Sequence, residues 1–127
     1  MRINATLTIT AGTPINLAVA LGVVASAAAL ATANPIMVNR HFIQMLAGGA
    51  GLGYVMDLDA FAVGTQANAA TNGHLTAELY PASGQLPGGT YGDGATVLGG
   101  GLADLTKLWI DGSHTGDPVV VSVNLRI

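Results

Sequence analysis

The chain has 127 residues, no cysteine, a formal net charge of −3, and charged side chains at only 9% of positions, against about 25% in an ordinary soluble domain. Disulfides, thiolate metal sites and cysteine nucleophiles are therefore excluded. Four basic residues, Arg2, Arg40, Lys107 and Arg126, are too few and too scattered to form the phosphate-neutralising footprint of a nucleic-acid binder.

The chain opens with strict alternation. Ile3, Ala5, Leu7 and Ile9 share one face, and Arg2, Asn4, Thr6, Thr8 and Thr10 the other, the period of a half-buried strand. Ala11-Gly12-Thr13-Pro14 is a turn. Ile15, Leu17, Val19 and Leu21 alternate again and predict a second strand. Gly22 to Asn34 is rich in Ala and fits either one or two helical turns or a small-residue loop, and Pro35 closes it. Leu17 to Ala33 does not read as the apolar core of a secretory leader, because a patterned stretch with a single Arg precedes it. It is also too short, and too rich in Ala and Gly, for a membrane span.

Ile36 to Leu46 is a strand with a mixed pattern, broken by Ala47-Gly48-Gly49-Ala50-Gly51. Gly53 to Leu58 resumes as a strand, extending toward Val63, and Gly64 to Gly73 is a polar loop. Leu75 to Tyr80 is a strand with Leu75, Ala77 and Leu79 on one face. Pro81 to Gly101 carries eight glycines and is mostly irregular, with a short edge strand at Ala95 to Leu98. Long loops of this kind carry contacts in an assembly protein. At the end, Lys107-Leu108-Trp109-Ile110, a polar turn over Asp111 to Asp117, and an alternating run from Val119 to Ile127 predict a hairpin.

These elements predict a single all-β domain over residues 1–127: an antiparallel β-sandwich, jelly-roll-like, with seven to nine short strands, Gly-rich loops and at most a short helical segment. A chain of this size buries about two thirds of its unfolded surface. A monomer normally spreads charge over its exterior. So sparse a charge inventory predicts a surface covered by neighbours or by other copies; the alternative is a neutral monomer coated with Asn, Thr and Gly.

The search for chemistry leads to no catalytic, cofactor or metal site. Asp111, Ser113, Thr115 and Asp117 place side-chain oxygens at alternate positions, as a calcium loop does, but Ser122 stands where an EF-hand has its bidentate acid. The expectation is a hairpin turn whose side chains cap backbone amides. Asp57 and Asp59 share a strand face without a convergent partner. His41, His74 and His114 lack zinc spacing; His41 reads as a core or interface residue and the other two as turn residues. Ala82-Ser83-Gly84 is no nucleophile elbow, and Gly99-Gly100-Gly101 no phosphate cradle. Trp109, Tyr54, Tyr80 and Tyr91 are candidates for a sugar-stacking face, although Trp109 reads as core.

Two stretches carry a resemblance. Thr6-Leu7-Thr8-Ile9-Thr10-Ala11-Gly12-Thr13-Pro14-Ile15-Asn16-Leu17 resembles the start of small virion proteins of tailed bacteriophages. Leu108-Trp109-Ile110-Asp111-Gly112, the polar turn after it and the closing strand resemble their end. Such proteins look like head decoration or cement proteins, sandwich or jelly-roll subunits that bind outside the capsid lattice and clamp adjacent major capsid proteins. The resemblance covers the two ends of the chain and implies a non-enzymatic structural subunit on the outer capsid surface, with no cofactor. Its partners would be the major capsid protein and copies of itself, as a dimer or trimer, with no nucleic acid and no membrane. The expected contact regions are the first strand, the Ala-rich stretch and the Gly-rich loop. The alternative is a carbohydrate-binding or adhesin-like module of a phage tail or cell surface.

Overall fold

The opening alternation becomes strand β1 (Arg2–Thr8), with Ile3, Ala5 and Leu7 turned inward and the intervening residues exposed. A computed structural model describes residues 1–46, 49–57, 77–81, 88–92 and 103–126, apart from the side chains of residues 39, 40, 57, 77 and 92. The expected extension toward Val63, the loop at 64–73 and the edge strand at 95–98 lie outside these residues, as do Leu75 and Thr76 of the strand predicted before Tyr80. Nine strands are described. After β1 come β2 (Ile15–Asn16), β3 (Met37–Met45), β4 (Gly53–Asp57), β5 (Ala77–Leu79), β6 (Thr90–Gly92), β7 (Ala103–Asp104), β8 (Leu108–Gly112) and β9 (Pro118–Leu125).

Their pairing is nested and antiparallel throughout: β1 with β9, β2 with β8, β3 with β6, and β4 with β5. This is a long hairpin rolled on itself, and rolling adds the contacts of β3 with β9 and of β4 with β8. Two sheets result, β1-β9-β3-β6 and β2-β8-β4-β5, with β7 appended to β3. That order is the jelly-roll form of the antiparallel sandwich. Between the sheets lie Val38, Ile43, Met45, Val119, Val121 and Val123 from the first, and Val55, Leu79, Leu108 and Ile110 from the second.

The mixed pattern of β3 has a specific cause. Val38 lies five residues from Ile43, so in a regular strand the two face opposite sides. A bulge between Val38 and Arg40 inserts one residue against β9. It brings Val38, Ile43 and Met45 onto the same inner face, all fully buried.

Two expectations fail. The strand predicted from Ile15 to Leu21 stops after Asn16 and gives way to a helical turn, α1 (Leu17–Ala20). Asn16 is the reason. The Val19 amide donates to its Oδ1 at 3.2 Å, capping the first turn. Its Nδ2 donates to the Thr106 carbonyl at 2.8 Å from a buried position. At the other end Gly22 takes φ +77, and the amides of Gly22 and Val23 return to the carbonyls of Val19 and Ala18 (3.0 and 2.9 Å), a Schellman closure. A helix of four residues is too short to display its own period, so alternation prevailed in the reading. Asn16→Ala removes the cap and orphans the Thr106 carbonyl, and is expected to cost about 1–3 kcal/mol, measurable by urea unfolding. The Ala-rich segment left open between helix and loop contains a 3-10 turn, Ala27–Ala31, with Leu30 buried.

The second failure is the C-terminal hairpin. β8 and β9 do not pair; they belong to different sheets, and residues 113–117 arch between them. All five residues of β8 are buried, so Asp111-Gly112, read as a turn, lies inside the strand. A Cβ at Gly112 would stand 2.9 Å from the Ile9 side chain and from the Leu52 carbonyl oxygen, so only Gly fits there. The segment expected to be mostly irregular also contains β6, and it is followed by β7 and a 3-10 turn, Leu105–Lys107, that packs against α1.

Candidate functional site

The β1–β2, β3–β4 and β8–β9 connections meet at one end of the sandwich, and the arch from Asp111 to Asp117 ties them together. Asp111 Oδ1 accepts the amides of Gly12 (3.1 Å) and Gly112 (2.8 Å). Ser113 Oγ accepts the Leu52 amide at 2.8 Å, and Thr115 Oγ1 the Ala11 amide at 3.0 Å. Asp117 accepts Ala50 on Oδ1 (2.9 Å) and Gly51 on Oδ2 (2.8 Å). The oxygens at 111, 113, 115 and 117 thus cap amides, as expected of a turn. The amides belong mainly to two other loops, however, and the turn is an arch between sheets.

The two buried aspartates differ in their electrostatics. Both are about 1% exposed. Burial pushes the Asp111 carboxyl up, and the amides of Gly112 and Gly12 only partly oppose it, so its pKa lies above the ordinary 3.8. Its Oδ2 is buried with no hydrogen-bond partner among the described residues. Burial also pushes Asp117 up, but the amides of Ala50 and Gly51 and the His114 imidazole outweigh it and hold it below 3.8.

Asp111 therefore favours the fold most when protonated. Its contribution is full below the ordinary carboxylate pKa and is lost as pH rises through its raised folded value. Asp111→Asn keeps an acceptor for both amides and removes the charge. The thermal stability of Asp111→Asn relative to the native chain is expected to fall as pH drops from 7 toward 4, because only the native chain is relieved by acid. A pH-independent difference would contradict this. Asp111→Ala, which strips both amides of their acceptor, should melt below Asp111→Asn throughout.

His114 Nδ1 lies 2.9 Å from Asp117 Oδ1, with the imidazole 56% exposed. A carboxylate that orients an imidazole is half of a hydrolytic relay, but Ser113 directs its oxygen to the Leu52 amide. No cluster of three or more metal-ligating side chains occurs among the described residues. No helix among them is long and apolar enough to cross a membrane.

The remaining sequence candidates are dispersed. Asp57 ends β4 opposite Leu108. Asp59, His74, residues 82–84 and residues 99–101 lie outside the described residues. His41 shares the inner face of the first sheet with Ile43, its ring 5.7 Å from that of Tyr91. Trp109 is buried, Tyr54 is half-buried and Tyr91 packs against the core, whereas Tyr80 is 68% exposed. The described residues therefore assemble no flat aromatic platform.

Sequence reasoning missed Asp104. Its Oδ1 accepts the amides of Ile36 (3.1 Å) and Thr106 (3.0 Å) and the Thr106 hydroxyl (2.7 Å). It belongs to no motif, and only its place before a short helical turn, where Asp is a favoured cap, could have marked it. Of the four acids whose side chains are described, three thus serve backbone amides and only Glu78 is exposed. No protein-family model, no curated protein and no solved structure matches this chain.

Proposed function

We propose that this chain is a structural virion protein, a capsid decoration or cement subunit that binds the outer surface of a major capsid protein lattice and stabilises it without catalysis. One observation carries the reading: of the four acids whose side chains are described, three are turned to backbone amides. With Asp104, Asp111 and Asp117 engaged by backbone amides, the described exterior keeps Arg2, Glu78, Lys107 and Arg126 as its exposed charges. Besides Arg2 and Phe42, the outer face of the first sheet presents Asn4, Thr6, Thr8, Gln44, Val120, Ser122 and Asn124, uncharged side chains that cost less to bury against another protein than charges do when a partner supplies their hydrogen bonds. A rigid jelly roll with its loops stitched at one end is a scaffold suited to such a role, and the resemblance at both ends of the chain agrees with it.

A subunit of this kind adds interface across the joints of a shell, and a standard interface buries about 1,600 Å². The test is the thermal rupture of isolated phage-like shells with and without the purified protein. A rise in rupture temperature that saturates with added protein is expected, and an unchanged rupture temperature at saturating protein contradicts the reading. The carbohydrate-binding alternative requires an aromatic platform, and buried Trp109 weighs against it. Trp109 emission should be that of a shielded indole and stay unchanged across a glycan panel.

A further inference from the structure

We infer that β1 is a self-association edge, at which two copies of the chain pair their first strands antiparallel about a two-fold axis at Ala5. Among the described residues only β9 pairs with β1, which is the outermost strand of its sheet. Its hydrogen-bond phase is fixed at both ends. The Leu125 amide donates to the Met1 carbonyl, and the Met1 nitrogen to the Leu125 carbonyl (2.8 and 3.3 Å). The Ile9 amide donates to the Asp117 carbonyl and the Gly116 amide to the Ile9 carbonyl (2.9 and 2.8 Å). In an antiparallel ladder the residues that point to one neighbour alternate. Ile3, Ala5 and Leu7 therefore bond to β9, and the N–H and C=O groups of Arg2, Asn4, Thr6 and Thr8 point outward.

Natural edges are usually blunted by shortness, Pro, Lys or a bulge. Among the described residues the other sheet edges are short: β2 has two residues and β5 and β6 three each. β1 has seven, runs in unbroken register with β9, and contains no Pro and no charge except Arg2.

The occupant follows from self-complementarity. Pairing about Ala5 sets Arg2 opposite Thr8 of the second copy and Asn4 opposite Thr6, and makes roughly eight new backbone hydrogen bonds. It holds the two arginines apart, at roughly 20 Å given a rise of about 3.3 Å per residue. On the inner face it sets Ile3 against Leu7, apolar residues that are only half-buried in the single chain. A single strand pair falls short of a standard interface, so association in solution is expected to be weak, micromolar or poorer. This inference rests on edge geometry rather than on shell binding, and either can fail alone.

Because the chain has no cysteine, a single one reports the pairing. Facing residues at a non-hydrogen-bonded antiparallel position have Cα atoms about 4.5 Å apart, within disulfide range. Ala5→Cys should form a covalent dimer under mild oxidation at least tenfold faster than Thr8→Cys, whose copies lie far apart. Thr6→Pro removes one outward N–H without touching the β1–β9 ladder, a placement that edges tolerate. It should abolish the concentration-dependent rise in mass seen by sedimentation and leave the melting temperature within a few degrees of native; Asn4→Pro provides the same test should Thr6→Pro fail to fold. Native protein that stays monomeric to submillimolar concentration, equal crosslinking of Ala5→Cys and Thr8→Cys, or folded Pro variants that associate as the native chain does, would each overturn the inference.

Discussion

Asp117→Ala is expected to remove about 3–5 kcal/mol of folding stability, a large share of the roughly 5–15 kcal/mol that a domain possesses. The carboxylate is 1% exposed and accepts the amides of Ala50 and Gly51 while holding His114. Truncation leaves two amides without their acceptor, at about 1–3 kcal/mol each, and frees the β3–β4 loop from the arch. His114→Ala, which removes only the exposed partner, should cost less than about 1 kcal/mol. Asp117 also sets the response to acid. Because its folded pKa is depressed, its contribution is present above the ordinary 3.8 and is lost as pH falls through the lower folded value. In Asp117→Asn the decline of stability below pH 4 should be shallower than in the native chain. Urea unfolding at pH 7 and near pH 3 measures both effects. A midpoint for Asp117→Ala within experimental error of native would show that the arch does not hold the loops.

The second large effect is expected at Gly88. A Cβ there would lie inside the van der Waals envelope of the Met45 backbone carbonyl, so the methyl of Gly88→Ala has no room unless the backbone moves. The same backbones are joined by the bond from the Met45 amide to the Gly89 carbonyl at 3.1 Å. Overpacking typically costs about 1–3 kcal/mol, and more where the neighbour cannot yield; about 3 kcal/mol is expected here. Gly53→Ala is the informative comparison. Its Cβ would meet the Met45 Sδ at 2.5 Å, the flexible end of a side chain that can change rotamer. Gly53→Ala should therefore lose less than half as much. Equal losses in urea unfolding would mean that the β3–β6 junction is not the tighter constraint.

The parts of the fold legible in the sequence were those whose pattern is local and whose one face meets water. β1 and β9 alternate without interruption and were placed within a few residues of their observed bounds. β3 was harder because a bulge exchanges its faces midway. β8 misled because both of its faces are buried, which erases alternation, and because Asp-Gly is a strong turn signal wherever it occurs. Partner choice was out of reach for a similar reason. The turn residues between β8 and β9 suggest a hairpin, and only the competing claims of β3 and β4 send the two strands to different sheets.

The same contrast holds at the three-loop end. The oxygens at 111, 113, 115 and 117 were visible, and so was their role as amide caps. Apart from the adjacent Gly112, the amides they cap, those of Ala11, Gly12, Ala50, Gly51 and Leu52, lie between 61 and 104 residues away. No local pattern encodes such a separation. Asp104 and Asn16 were missed on similar grounds, since each joins segments remote in sequence, Asp104 to Ile36 and Asn16 to Thr106. These caps also draw Asp104, Asp111 and Asp117, three of the seven acids in the chain, to backbone amides.

The most direct test of the proposed role is co-sedimentation of the purified protein with isolated phage-like shells across a range of protein concentrations. Binding that saturates at a fixed ratio of copies to major capsid protein subunits, and that persists in moderate salt as a weakly charged contact should, is the predicted result. Protein that remains in the supernatant at every concentration, while folded, would contradict it.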